Sequence, residues 1–315
     1  MEHVRWLSQP TLRNPIVVAA FTGWNDAGDS ASTGVRYLIE DLGATPLAEI
    51  DPEEFTDFAT VRPHVRLSSG HTRNIVWPTV GMWHASTAGA DVILVLGPEP
   101  ALRWRNFTEQ IVGVAQHFEA SMIVTLGALL ADVPHSRVVQ LIGTATDQHI
   151  IDRYDLQRPR YEGPTGIVGI VQDAFVRVNI PCIALWAAVP AYASQVPSPK
   201  ATLALVDRLG AIIGSTLPTG RLAVEVSEYE SKVSSIVADD DDLAGYVRRL
   251  ESMSDAGIED FSLDDDDDID DIDDEDDEDD DLVGGELGSD SGQALAENVD
   301  GPAFIDEVER YLREQ

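Results

Sequence analysis

Four loops of this 315-residue chain carry ionisable residues, three of them after strand-like apolar runs and the fourth before a helix. Asp26 lies in FTGWNDAGDS (21–30), His135 in LGALLADVPHSRVV (126–139), Asp147 in GTATDQHI (143–150) and Glu162 in YEGPTGIVGIVQDAF (161–175). Loops beyond the carboxyl ends of strands are where α/β sheets place ligands, and Asp26, His135, Asp147 and Glu162 are the residues of these loops suited to acid–base chemistry if one cleft gathers them. Each residue also has a structural role open to it. Asp26 or Asp29 can cap the helix that follows, with Gly23 and Gly28 shaping the turn. His135 stands beside Ser136 and near Asp132, but sequence neighbours rarely attain triad geometry. Glu162 precedes a Gly-Pro turn in which Thr165 can cap the next helix, and it acts as an acid or base only with a raised pKa.

The standard catalytic signatures G-x-G-x-x-G, G-x-S-x-G and H-E-x-x-H are absent. The seven histidines lack metal-ligand spacing, and the acidic stretches lack the calcium-loop pattern with its central glycine. The reading is therefore no metal and no cofactor. The single cysteine, Cys182, lies in the apolar run PCIALWAA and reads as a buried small hydrophobe rather than a disulfide partner.

The elements that must position these loops are short apolar runs with helical stretches between them. Strands are expected at 15–21, 46–50, 64–67, 73–78, 91–97, 121–127, 137–146 and 181–188, and helices at 29–42, 100–119, 166–179, 199–214, 222–237 and 243–252. Four of the runs are almost continuously apolar, which suits central strands covered on both faces. Strand followed by helix, repeated, points to an αβα sandwich around a mostly parallel sheet. Glu99 and Pro100 read as the start of the helix over 100–119, and Ser198 with Pro199 as the start of that over 199–214.

Charge divides the chain. The formal net charge is −35, yet residues 1–253 hold 29 acidic and 19 basic residues, whereas residues 254–315 hold 27 and 2. In the run Asp264–Asp281, 16 of 18 residues are Asp or Glu, so a self-repelling, disordered linker over 254–301 is expected. Helical periodicity returns over 302–315, where Phe304, Val308, Tyr311 and Leu312 share one face suited to docking. The acidity argues against nucleic acid as partner. No apolar run reaches membrane-span length and the start lacks a signal-peptide core, so a soluble cytoplasmic protein is expected.

Six stretches carry a resemblance: FTGWNDAGDSAS (21–32), LVLGPEPALRWRNFTEQI (94–111), GALLADVPHSR (127–137), IGTATD (142–147), YEGPTGIVG (161–169) and WAAVPAYASQVPSPKATLAL (186–205). In this order they resemble the proteasome assembly chaperone 2 family, in its actinobacterial branch. The resemblance spans roughly Asn14 to Glu251 and implies a three-layer αβα sandwich of phosphorylase/hydrolase-like type, homo-oligomerisation, and proteasome subunits as partners. Eukaryotic and archaeal relatives dock on the proteasome α-ring through a carboxyl-terminal hydrophobic–tyrosine–any-residue motif. This sequence ends ERYLREQ, with Glu314 where that tyrosine would stand, so any association is expected to run through the folded body. The resulting reading is a non-enzymatic, chaperone-like interaction protein, with Trp24, Asn25 and Asp26 as body contacts and Phe304, Val308, Tyr311 and Leu312 as tail contacts. The rival is an enzyme or small-ligand binder using the four-residue cleft. Convergent polar groups in a deep pocket would favour the rival, and a packed, shallow surface the first reading.

Overall fold

The run Ile16–Thr22, apolar at every position but the last, forms a strand buried on both faces, and the sheet is built outward from it. A computed structural model describes residues 1–68 and 72–257. In chain order the elements are β1 (Val4–Trp6), β2 (Ile16–Thr22), α1 (Ser30–Asp41), β3 (Thr45–Ile50), β4 (His64–Ser68), β5 (Thr72–Val76), β6 (Val80–Ser86), β7 (Asp91–Pro98), α2 (Trp104–His117) and β8 (Met122–Ala131). They continue with β9 (Leu141–Ala145), α3 (Gln148–Tyr154), α4 (Ile167–Arg177), β10 (Cys182–Pro190), α5 (Pro199–Ile213), α6 (Gly220–Ala238) and α7 (Asp241–Asp255).

Eight strands form one sheet in the order β1-β3-β6-β7-β2-β8-β10-β9, while β4 and β5 pair only with each other. The sheet is mixed rather than mostly parallel. Its four central strands β7, β2, β8 and β10 are parallel, and every pair outside them is antiparallel. The period of two along β2 divides the core into layers. Ile16, Val18 and Ala20 face one helical layer, packing with Val35 and Leu38 of α1 and Leu205 and Leu209 of α5. Val17, Ala19 and Phe21 face the other, with Phe107 and Ile111 of α2 and Val168, Val171 and Phe175 of α4. A satellite cluster joins α6 and α7 through Tyr229, Val233, Val237 and Val247, packed on Ala193 beyond β10.

Several boundaries differ from expectation for identifiable reasons. Helix α2 starts at Trp104 instead of residue 100, because the amides of Ala101 and Leu102 both donate to the Phe55 carbonyl and hold that segment out of the helix. Strand β9 begins at Leu141, since Arg137 is drawn away to Asp255 of α7. Strands β1 and β6 and helix α3 lay outside the expected elements. In β6 glycine, tryptophan and histidine interrupt the apolar run, leaving only partial alternation. Helix α7 runs on to Asp255. The acidic run and the segment holding Phe304, Val308, Tyr311 and Leu312 lie outside the described residues.

Candidate functional site

Because β7, β2, β8 and β10 run parallel, the loops that follow them share one edge of the sheet. The loop after β2 is the hub. The buried Asn25 donates through Nδ2 to Glu99 Oε1 at 3.0 Å, and the Ile167 amide at the start of α4 donates to the same oxygen at 2.8 Å. The Glu99 amide donates to the Thr22 carbonyl at 2.9 Å, and the Ala128 amide of β8 to the Asn25 carbonyl at 2.9 Å. A side chain at Gly166 would place its Cβ 2.3 Å from Asn25 Nδ2, so glycine there is a condition of this junction. Gly28, at φ +56°, accepts through its carbonyl from the Ser198 amide at 2.8 Å, which ties the loop to the start of α5. One loop thus meets β7, β8, α4 and α5.

Asp26 caps α1 from a distance. Its Oδ1 accepts from the Ala31 and Ser32 amides at 2.8 and 3.0 Å, whereas Asp29, immediately before the helix, makes no side-chain cap. Its Oδ2 has no hydrogen-bond partner. Burial pushes the Asp26 carboxyl above its usual range, outweighing the bonds from Ser32 and Ala31 that act the other way, with the Asp29 charge adding to the rise. Trp24 is the hub's exposed aromatic, 55% accessible. Glu99 caps α4 in place of Thr165, whose hydroxyl makes no such bond, and it does not start α2.

His135 is buried between the loop after β8 and the α6–α7 pair. Its backbone amide donates to Tyr192 Oη at 2.7 Å, Nδ1 lies 2.8 Å from the same oxygen, and Nε2 lies 2.9 Å from Ser234 Oγ. A ring that accepts at Nδ1 from the Tyr192 hydroxyl donates from Nε2 to Ser234 Oγ, and the opposite tautomer reverses both bonds. Burial pushes the imidazole below its usual pKa, and the nearby Lys200 charge adds to this, against Glu251 and Glu230. Lys200 donates to the His135 carbonyl at 2.7 Å and pairs with Glu230 at 2.6 Å. Ser136 turns away from the imidazole to Glu251, and Arg137 pairs with Asp255 at 2.7 Å. These bonds clasp two helices to the body.

Asp147 caps α3 through the His149 and Ile150 amides, and Glu162 is exposed in the loop before α4. Among the described residues no hydrogen bond joins any two of Asp26, His135, Asp147 and Glu162. A depression of about 270 Å³ between α1, α5 and α6 is lined by Gly28, Ser198, Thr202, Glu228, Tyr229 and Lys232, among others, and by none of those four. The hollow beside His135 measures about 10 Å³, room for a single water. No group of three His, Cys, Asp or Glu among the described residues is placed to hold a metal ion. Tyr192, Lys200 and Ser234 escaped the sequence reading because each lies far along the chain from His135. No local spacing marks them.

Fold and site together define an αβα protein whose strand-end loops interlock and whose ionisable groups hold helices in place. Residues 20–237 match the model of the PAC2 family, and the chain belongs to that family. Among solved structures, a PAC2 family protein from Streptomyces avermitilis is 42% identical over 74% of this chain and 99% of its own, with a TM-score of 0.69. The Mycobacterium tuberculosis proteasome-assembly chaperone homologue is 41% identical over the same shares, with a TM-score of 0.67. An archaeal proteasome activator from Pyrococcus furiosus shares the fold at 16% identity, over 74% of this chain and 97% of its own, with a TM-score of 0.61. Comparison with curated proteins found no match.

Proposed function

We propose that this protein is a cytoplasmic, homo-oligomeric, non-enzymatic chaperone-like factor that engages proteasome subunits through its folded body. The observation that carries this reading is family membership at the level of the mycobacterial proteasome-assembly chaperone homologue, 41% identical across almost all of that chain. The site geometry supports it: Asp26 and Asp147 serve as helix caps and His135 has both ring nitrogens engaged. The exposed Trp24, with Asn25 and Asp26 holding its loop in place, supplies a rigid aromatic contact of the kind that anchors protein interfaces.

The test is co-sedimentation of the full chain with purified proteasome core particles and, separately, with unassembled α and β subunits. Association is expected with at least one of these, and Trp24→Ala should weaken it about tenfold or more, the scale of an interface anchor. The variant should keep the wild-type melting temperature. Absence of association with all three would overturn the reading.

A further inference from the structure

Among the described residues the β4–β5 hairpin pairs only with itself, and its described side chains are exposed throughout, including Val65, Leu67 and Ile75. The register sets Val65 opposite Ile75 and Leu67 opposite Arg73, so these four side chains share one face of the ribbon. At its root Trp77 meets Phe58 edge to face, with ring centroids 5.1 Å apart. A lone two-stranded hairpin is marginally stable in water, and an exposed apolar face with two open strand edges marks a contact surface.

Charge indicates what covers it. From Phe58 to Ala90 the sequence contains no Asp or Glu, while Arg62, Arg66 and Arg73 fall within that stretch, in a chain of net charge −35. Arg73 lies on the apolar face of the ribbon and Arg66 on the other, so two hairpins meeting through their apolar faces would set Arg73 against Arg73, which disfavours a symmetric hairpin-to-hairpin contact. The α6–α7 pair offers the complement. Val224 and Ile236 are exposed on α6, Glu228 is exposed between them, and Asp239, Asp240, Asp241 and Asp242 form an exposed acidic turn.

We infer that the β4–β5 hairpin is a self-association arm that docks on the α6–α7 surface of a second copy of this chain, apolar face to apolar side chains and Arg73 to the acids. The contact is heterologous, because the two surfaces differ, so it builds a closed ring when the rotation between copies closes. The inference rests on the self-association proposed above and names the surfaces that produce it.

The experiment is sedimentation of the full chain across a concentration series, for three forms: wild type, Arg73→Glu, and Glu228→Lys with Asp239→Lys. The wild type should be oligomeric, and each variant should raise the dissociation constant at least tenfold at an unchanged melting temperature. An equimolar mixture of the two variants should recover association, since the reversed hairpin of one then meets the reversed helix of the other. If a reversal impairs folding, Arg73→Gln provides the milder readout. A monomeric wild type would overturn both this inference and the self-association reading. An oligomeric wild type whose mass is unaltered by either variant, or a mixture that fails to recover, would overturn the hairpin assignment alone.

Discussion

Asn25, Glu99 and Gly166 make one junction from three distant parts of the chain, and each depends on the others. Removing the Glu99 carboxylate leaves the buried Asn25 amide and the Ile167 amide without their acceptor. An unsatisfied buried donor costs about 1–3 kcal/mol, and loss of a helix cap about 1. Glu99→Ala should therefore lower stability by about 2–3 kcal/mol in urea unfolding, and Glu99→Gln by less, because an acceptor oxygen remains. Gly166→Ala drives a methyl into the Asn25 side chain, which is pinned to Glu99, and should cost about 1–3 kcal/mol as an overpacked site. Burial raises the Cys182 thiol to about 12, so the thiolate that reacts with disulfide reagents is scarce at pH 8. In native protein Cys182 should stay unmodified on a timescale on which urea-unfolded protein reacts completely.

At the scale of elements, the clasp on α6 and α7 is the part most exposed to pH. The ordinary histidine pKa is 6.5, and in the folded protein that of His135 is lowered by burial and by Lys200. Between the lowered value and 6.5 the unfolded chain binds more protons, so stability falls as pH falls. The contribution is complete above 6.5 and is lost progressively as pH drops through the folded value. Hydrogen exchange in α6 and α7 should therefore accelerate between pH 7 and pH 5 relative to the sheet, after correction for intrinsic rates. In His135→Gln, which keeps a side-chain donor and does not titrate, that pH dependence should be reduced. Equal pH dependence in the variant would assign the effect to other groups, Glu230 and Glu251 first among them.

For the whole molecule, the two apolar layers on either face of the sheet and the satellite under α6 and α7 draw, among the described residues, on side chains up to Val247. A chain ended after Gly257 should thus unfold cooperatively, with a thermal midpoint within a few degrees of the full protein. Circular dichroism during heating checks this, and a broad, non-cooperative transition would show that residues beyond 257 contribute to the core. Charge makes a second, directional prediction. Residues 258–315 carry 26 acids against 2 bases, and their removal lessens self-repulsion among associated copies. Self-association of the shortened chain should then be at least as tight as that of the full chain at low salt, with the difference shrinking as salt rises.

The central strands were legible because β2, β7, β8 and β10 are buried on both faces, and burial of that kind writes itself as uninterrupted apolar sequence. The same logic located α1, α4 and α5 to within a residue or two, and the Pro199 start with its Ser198 cap was readable because both signals are local. Of the antiparallel flanks, β3 and β9 were legible but β6 and β1 were not: β6 is only half buried and β1 is three residues long, so neither imposes a run on the sequence. The candidate site divides in the same way. That Asp26 or Asp29 caps α1 follows from spacing within a few residues, and the structure selects Asp26, whereas the cap that Asp147 gives α3 was not anticipated. That Glu99 belongs to α4, and that His135 clasps Tyr192 and Ser234, was decided by tertiary structure alone. Those partners stand 57 to 99 residues apart in sequence, where hydrogen-bond complementarity is set by how the sheet brings strand ends together and leaves no periodic trace.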